Sequence, residues 1–301
     1  MPHANKRRIN VQRLVSVLIA FEMRYTCFCE RRSFLHQFSC MSASSVIYLC
    51  INLPQAVDRR QSMIAQASQL DLDIQFVEAV SGKELPLHVP DYDRTARRKC
   101  YNHDLTPNEI ACALSHKKAL RSFLDSSAEY AVIMEDDARL SPHIKAGIHE
   151  LTHHLHGWEA AKLFTGEGSK LYSLGDAGAS TLRAVFPRKI LWVAVGWLYS
   201  RTAALKLLAG MSSFHLAADQ QIGNILLQQA IPTIGVSPSL ITSADPHNEN
   251  STIDTASCKR ADQEKRRSLW QYLRYRSSVL NIALAKKRMI RMMRKRLQRS
   301  V

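Results

Sequence analysis

The chain has 301 residues, 46% of them hydrophobic and 22% charged, which is the balance of a globular protein long enough to bury one large core or two small ones. That balance excludes a chain disordered throughout. The formal charge of +15 is unevenly placed: residues 1–40 carry net +5, residues 259–301 net +13 and residues 41–258 net −3, so a slightly acidic body carries two basic appendages.

Seven cysteines, an odd number without Cys-x-x-Cys spacing, argue against a zinc ribbon or a disulfide framework and fit a reducing compartment. Leu14 to Phe21 follows Lys6-Arg7-Arg8 but is too short to span a bilayer, and no clean small-x-small cleavage pattern comes after it. Residues 1–40 show no regular pattern before Met41, which stands just ahead of the first convincing strand. The expectation is a start at Met41, with residues 1–44 a leader outside the fold, 45–258 the catalytic domain and 259–301 a tail.

Val46 to Leu53 is a continuous apolar run of strand length closed by Pro54, and Val57 to Leu70 follows as a helix. Ile74 to Val80 is a second strand with Ser81-Gly82 as its turn, and this β-α-β order predicts a mainly parallel sheet. Asp91 to His103 is polar, basic and without period, so it reads as a loop. A helix opens at Thr106, where Thr106-Pro107-Asn108-Glu109 forms a capping box with proline in the first helical position, and it runs to about Ser126.

Ala131 to Met134 is then an apolar strand that stops in Glu135-Asp136-Asp137. Ser141-Pro142 starts another helix. Further strands are expected at Lys162 to Thr165, Leu191 to Ser200 and Thr233 to Val236, with helices over Thr202 to Gly210 and from Asp219.

Three consecutive carboxylates repel and call for a countercharge, and in an open α/β sheet ligands sit beyond the carboxyl ends of the strands. Glu135 and Asp137 point to the same side of an extended chain, so they can share Mn²⁺ or Mg²⁺ facing a diphosphate, while Asp136 turns toward ribose or neighbouring backbone. An acidic strand end without metal is the plainer alternative. Arg59 and Arg60, after the first strand, can pair with a diphosphate or stack on uracil, and equally can be a solvated helix start.

His149-Glu150-Leu151-Thr152-His153 matches the H-E-x-x-H pattern of zinc hydrolases. At about 100° per residue, however, Ile144, Ile148, Leu151 and Leu155 take one face and both histidines fall on the solvent side. Residues 265–300 interleave Trp270, Tyr272, Tyr275, Leu280, Ile290, Met293 and Leu297 with Lys and Arg, the composition of an amphipathic basic helix. Nucleic acid would use the same charge, but an acidic body makes an anionic membrane surface the better match for residues 259–301.

Several stretches together resemble glycosyltransferase family 25, the lipopolysaccharide and lipo-oligosaccharide galactosyltransferases and their relatives. They are Ile51-Asn52-Leu53 with Asp58-Arg59-Arg60, Val77 to Gly82, Leu105 to His116 and Ile133 to Asp137, continued by Gly196 to Ser200, Ala218-Asp219 and Pro238-Ser239-Leu240 leading to Ser251-Thr252-Ile253. The likeness covers roughly residues 45 to 255 and is loose after Lys162. It implies a GT-A-like α/β fold, a UDP-sugar donor, a divalent cation and inversion at the anomeric carbon. The acceptor it implies is a glycolipid or oligosaccharide at the cytoplasmic face of the bacterial inner membrane.

By the same resemblance Asn52, Arg59, Arg60, Gly82 and Asp136 belong to donor binding and Glu135 and Asp137 to the metal. Asp219 becomes the base that deprotonates the acceptor hydroxyl, with Glu167 as fallback. Asp219 can also simply cap its helix. Glu109 and His116 are further catalytic candidates, although the capping box alone explains Glu109 and a buried, hydrogen-bonded histidine explains His116 equally well.

Overall fold

The computed structural model describes residues 45–165, 170–176, 182–187, 194–243 and 268–299. Ten strands and seven α-helices are found among them. β1 (Val46–Asn52), α1 (Val57–Gln69) and β2 (Ile74–Glu78) realise the expected β-α-β unit, with β1 parallel to β2. α2 (Arg94–Cys100) and α3 (Pro107–Asp125) lead to β3 (Tyr130–Glu135), which pairs in parallel with β1 so that Ile51 lies opposite Glu135.

After β4 (Ala138–Leu140) and α4 (Ile144–His153) come β5 (Ala160–Lys162), β6 (Leu171–Asp176), β7 (Arg183–Pro187) and β8 (Gly196–Ser200). α5 (Arg201–Gly210), α6 (Ala218–Gln228), β9 (Thr233–Ser237), β10 (Ile241–Ser243) and α7 (Leu269–Gln298) complete the order.

The main sheet has eight strands in the order β2-β1-β3-β8-β5-β9-β7-β6. Six run one way and β7 and β8 run against them, so the expected mainly parallel sheet is present with two reversals. β8 is one reversal, inserted antiparallel between β3 and β5, with Met134 opposite Gly196 and Lys162 opposite Trp197. The carboxyl ends of β1, β3 and β5 therefore share one edge with the amino end of β8. Buried Leu49, Ile133, Met134, Leu198 and Tyr199 fill the sheet's middle, and Phe123 and Leu120 of α3 join the same core.

Four differences from the sequence reading have physical reasons. Residues 94–100 form a helix, not a loop, because Asp93 caps it by accepting from Ala96 N at 2.7 Å and because its inward side chain is Arg97, only 4% exposed, which no apolar stripe announces. The Arg97 guanidinium lies 3.7 Å from the centre of the Tyr101 ring and its Nε donates to His103 O at 3.1 Å. β5 ends at Lys162 instead of starting there, since Thr165 turns away and donates from Oγ1 to Val236 O at 2.9 Å. β4 and β10, three residues each, pair antiparallel and are too short to carry a period.

The fourth concerns the basic tail. Residues 269–298 are a helix opened by a Ser268/Gln271 capping box, as the amphipathic pattern predicts. Met293 and Leu297, read as membrane-seeking, are instead buried in the common core together with Met289. Gln271 Nε2 donates to Arg98 O at 3.0 Å, Tyr275 meets Tyr101 edge-on, and Arg294 Nε donates to Ser173 O at 3.1 Å, so the helix is fastened along its length. Its exposed apolar residues are Leu269, Trp270, Tyr272, Leu273, Val279, Leu280 and Leu284. No helix among the described residues is long and apolar enough to cross a membrane. Residues 1–44 and 259–267 lie outside the described residues, as does Leu191 at the start of the expected strand.

Candidate active site

The acidic tip of β3 sits at the sheet edge formed by the ends of β1, β3 and β5. Asp136 is held from two sides: Asn52, buried at the end of β1, donates from Nδ2 to Oδ2 at 2.8 Å, and Arg59 in the first turn of α1 donates from Nη1 to Oδ1 at 3.1 Å. Both Asp136 oxygens thus have protein partners. Arg60, one residue on, lies with its guanidinium 4.0 Å from the centre of the Phe76 ring.

α3 supplies the opposite wall. The capping box is formed, with Glu109 Oε2 accepting from Thr106 N at 2.8 Å, so Glu109 is buried for a structural reason. Ser115 Oγ accepts from Val80 N at 2.8 Å and ties the exit of β2 to the helix. Gly82 lies against the start of α3, where an added Cβ would overlap Asn108 Oδ1 and come within 2.9 Å of Asn108 N. A glycine is what lets this turn close on the helix. One turn beyond Cys112, His116 is buried and its Nε2 lies 3.0 Å from Glu135 Oε1.

Asp137 is the carboxylate left incompletely satisfied. Ser243 Oγ donates to its Oδ2 at 3.4 Å, while Oδ1 is buried and has no hydrogen-bond partner among the described residues. Burial first, then the charges of Glu135 and Asp136, push its pKa up to about 6, against the opposing pull of Arg59 and Ser243. A buried anionic oxygen without a donor fits a cation, and Glu135 is the neighbouring carboxylate that could share one.

Asp219 lies in the first turn of α6, and its Oδ1 accepts from Gln220 N at 2.7 Å. Its charge acts on Cys112 and on Lys162. Glu167 lies outside the described residues. Lys162, missed by the sequence reading, is 3% exposed at the end of β5 with its Nζ 5.8 Å from the centre of the Trp197 ring. Burial lowers its pKa to about 8, with Asp219 pulling the other way. A single lysine within the apolar run Ala160 to Phe164 was the available signal.

His149 and His153 stack on one another at 4.2 Å on the outer side of α4, and His149 is exposed. Among the described residues, the group of three metal-type ligands is Cys112, His116 and Glu135, and it includes neither of them. The zinc-hydrolase alternative therefore finds no metal-ligand group among the described residues.

The fold and this edge define an α/β protein with acidic side chains clustered at the carboxyl ends of its strands. Residues 45–222 match the family model described as "Glycosyltransferase family 25 (LPS biosynthesis protein)", more than half of the 301-residue chain, and the chain belongs to that family. It is 31% identical over 122 residues to procollagen galactosyltransferase 1-A of Xenopus laevis, covering 38% of this chain and 19% of that protein. It is 28% identical over 114 residues to procollagen galactosyltransferase 2 of Mus musculus, covering 34% and 17%. A glycosyltransferase 25 family member of Aedes aegypti is 28% identical over 127 residues, covering 38% and 20%. The chain thus matches about a fifth or less of the length of these relatives. A solved structure of a putative glucose-1-phosphate thymidylyltransferase from Bacillus anthracis overlaps 76% of this chain and 99% of its own at 11% identity and a TM-score of 0.34, too low to bear on the fold.

Proposed function

We propose that the protein is an inverting hexosyltransferase that moves galactose from UDP-galactose to a glycolipid or oligosaccharide acceptor in lipopolysaccharide or lipo-oligosaccharide synthesis. Family membership supports sugar transfer, and the names of the procollagen galactosyltransferases support galactose. The observation that carries the reading is the buried Asp137 Oδ1, without a donor among the described residues, beside Glu135 at the carboxyl edge of the sheet.

In this reading Glu135 and Asp137 hold Mn²⁺ or Mg²⁺, which supplies charge neutralisation to a departing UDP. Asn52 and Arg59 fix Asp136 and with it the path of the acidic tip, and Arg60 and the turn at Gly82 border the donor. Asp219 accepts the proton of the acceptor hydroxyl as that oxygen attacks the anomeric carbon, with Glu167 as the fallback base. Lys162, buried at the end of β5, lies within the electrostatic reach of Asp219. His116 orients Glu135, and Glu109 holds the helix that carries His116.

The outward apolar residues of α7, among them Leu273, Leu280 and Leu284, alternate with Arg276, Lys287 and Arg291, a pattern suited to an anionic membrane surface on the cytoplasmic side. The decisive experiment is hydrolysis and transfer with a panel of UDP-sugars, with and without Mn²⁺. UDP-galactose turnover that needs the cation is expected; a panel without turnover under either condition rejects the reading.

A further inference from the structure

We propose that Cys112, His116 and Glu135 form a binding site for a zinc-class cation, sharing Glu135 with the carboxylate pair assigned to Mn²⁺ or Mg²⁺ but adding sulfur and nitrogen in place of Asp137. One ligand atom from each of the three residues lies within 4.8 Å of the other two. Cys112 and His116 are four residues apart on α3, so their side chains project from the same face one turn from each other. Glu135 comes from a different element, the end of β3, and its Oε1 already meets His116 Nε2 at 3.0 Å.

The frame around the three is fixed before any ion arrives. The Thr106/Glu109 capping box holds the start of α3, the Ser115 hydroxyl holds its middle to Val80, and His116 is 3% exposed. Little ordering therefore accompanies binding.

Ligand chemistry decides which cation fits. A thiolate with an imidazole is a poor set for Mg²⁺ or Mn²⁺, which prefer oxygen, and a good set for Zn²⁺, which takes sulfur, nitrogen and carboxylate oxygen together. The carboxylates of Glu135, Asp219, Glu109 and Asp137 all act on the Cys112 position, a concentration of negative charge that a dication offsets. On binding, the thiol gives its proton to solvent and the sulfur becomes the anionic ligand. Three protein ligands leave a fourth place for water.

The test uses the full chain, stripped with a chelator and titrated with Zn²⁺ against a chromophoric competitor, then separately with Co²⁺. One equivalent of zinc is expected, together with a thiolate-to-cobalt charge-transfer absorption. Cys112→Ser should abolish that absorption and weaken zinc at least tenfold; His116→Gln should weaken zinc comparably while keeping the absorption; Cys100→Ser should change neither. Zinc should also slow alkylation of Cys112 in the unmodified chain, followed on its own peptide by mass spectrometry, which needs no variant to fold. Absence of stoichiometric zinc, a cobalt spectrum indifferent to Cys112→Ser, or an unchanged alkylation rate overturns the proposal. None of these readouts depends on transferase activity, so the failure of this site and the failure of the sugar-transfer reading are separable.

Discussion

Asn52 Nδ2 donates to Asp136 Oδ2 across 2.8 Å, joining the end of β1 to the acidic tip of β3. Asn52 is 2% exposed, so removing its amide leaves a carboxylate oxygen short of a donor in a dry place. Asn52→Leu should cost about 1–3 kcal/mol in urea unfolding. Arg59→Ala, whose side chain is 38% exposed, should cost about 1 kcal/mol or less. Equal losses would mean that the tip is not organised from β1.

Asp137→Asn separates activity from stability. Cation-dependent turnover should be lost. Because the folded-state pKa is raised from 3.8 to about 6, the folded state binds more protons than the unfolded chain between those values, so metal-free stability falls as pH rises through that window. The asparagine has no charge to bury, so the variant should be more stable than the parent at neutral pH by about 1–2 kcal/mol and lack that fall. Full turnover in the variant would remove Asp137 from the cation.

Lys162→Met should act on stability in the opposite pH range. A lysine whose pKa drops from 10.5 to about 8 on folding is protonated in the unfolded chain while already neutral in the folded one between those values. Stability therefore rises as pH climbs from 8 toward 10.5. Below pH 8 the buried charge costs at most about 3 kcal/mol, which methionine removes. Thermal melts of parent and variant across pH 7–10 give the slope directly; a parent curve that is flat over this range would show that Lys162 reaches solvent.

Asp219→Asn should lower turnover by about 10²- to 10⁴-fold if its carboxylate takes the acceptor proton. His149→Ala, on the outer side of α4, should leave turnover unchanged. Retained turnover in Asp219→Asn moves the base to Glu167.

The α7 helix calls for substitution, not truncation. Met293 is fully buried, so Met293→Ala should cost about 2–5 kcal/mol and deletion of the helix should open the core. Leu273→Glu with Leu280→Glu changes only exposed positions. This pair should keep the melting temperature while reducing sedimentation with anionic vesicles, and unchanged sedimentation would place the membrane contact elsewhere.

Continuous apolar runs made β1 and β3 legible in the sequence, and the Thr106/Glu109 box is local enough to be read letter by letter and then found intact. The acidic tip was equally visible. What could not be read was any relationship set by distant pairing. That Asp136 belongs to Asn52 and Arg59, or that Cys112 and His116 meet Glu135, depends on which strand end lies beside which helix. The helix at Arg94–Cys100 hid because its inward residue is a guanidinium, and β4 and β10 hid because three residues carry no period. The tail showed its amphipathicity but not that its methionines had a core to enter.

The reversal of β8 bears on how the chain reaches its final form. β3 is finished at Glu135, yet its neighbour on one side begins only at Gly196, and until that strand arrives the open ladder of Tyr130–Met134 has nothing to pair with. An unsatisfied hydrophobic edge in the middle of a sheet is a template for other chains. Fragments ending before residue 196 should thus aggregate, and refolding should be slow and limited by this late closure rather than by the local helices.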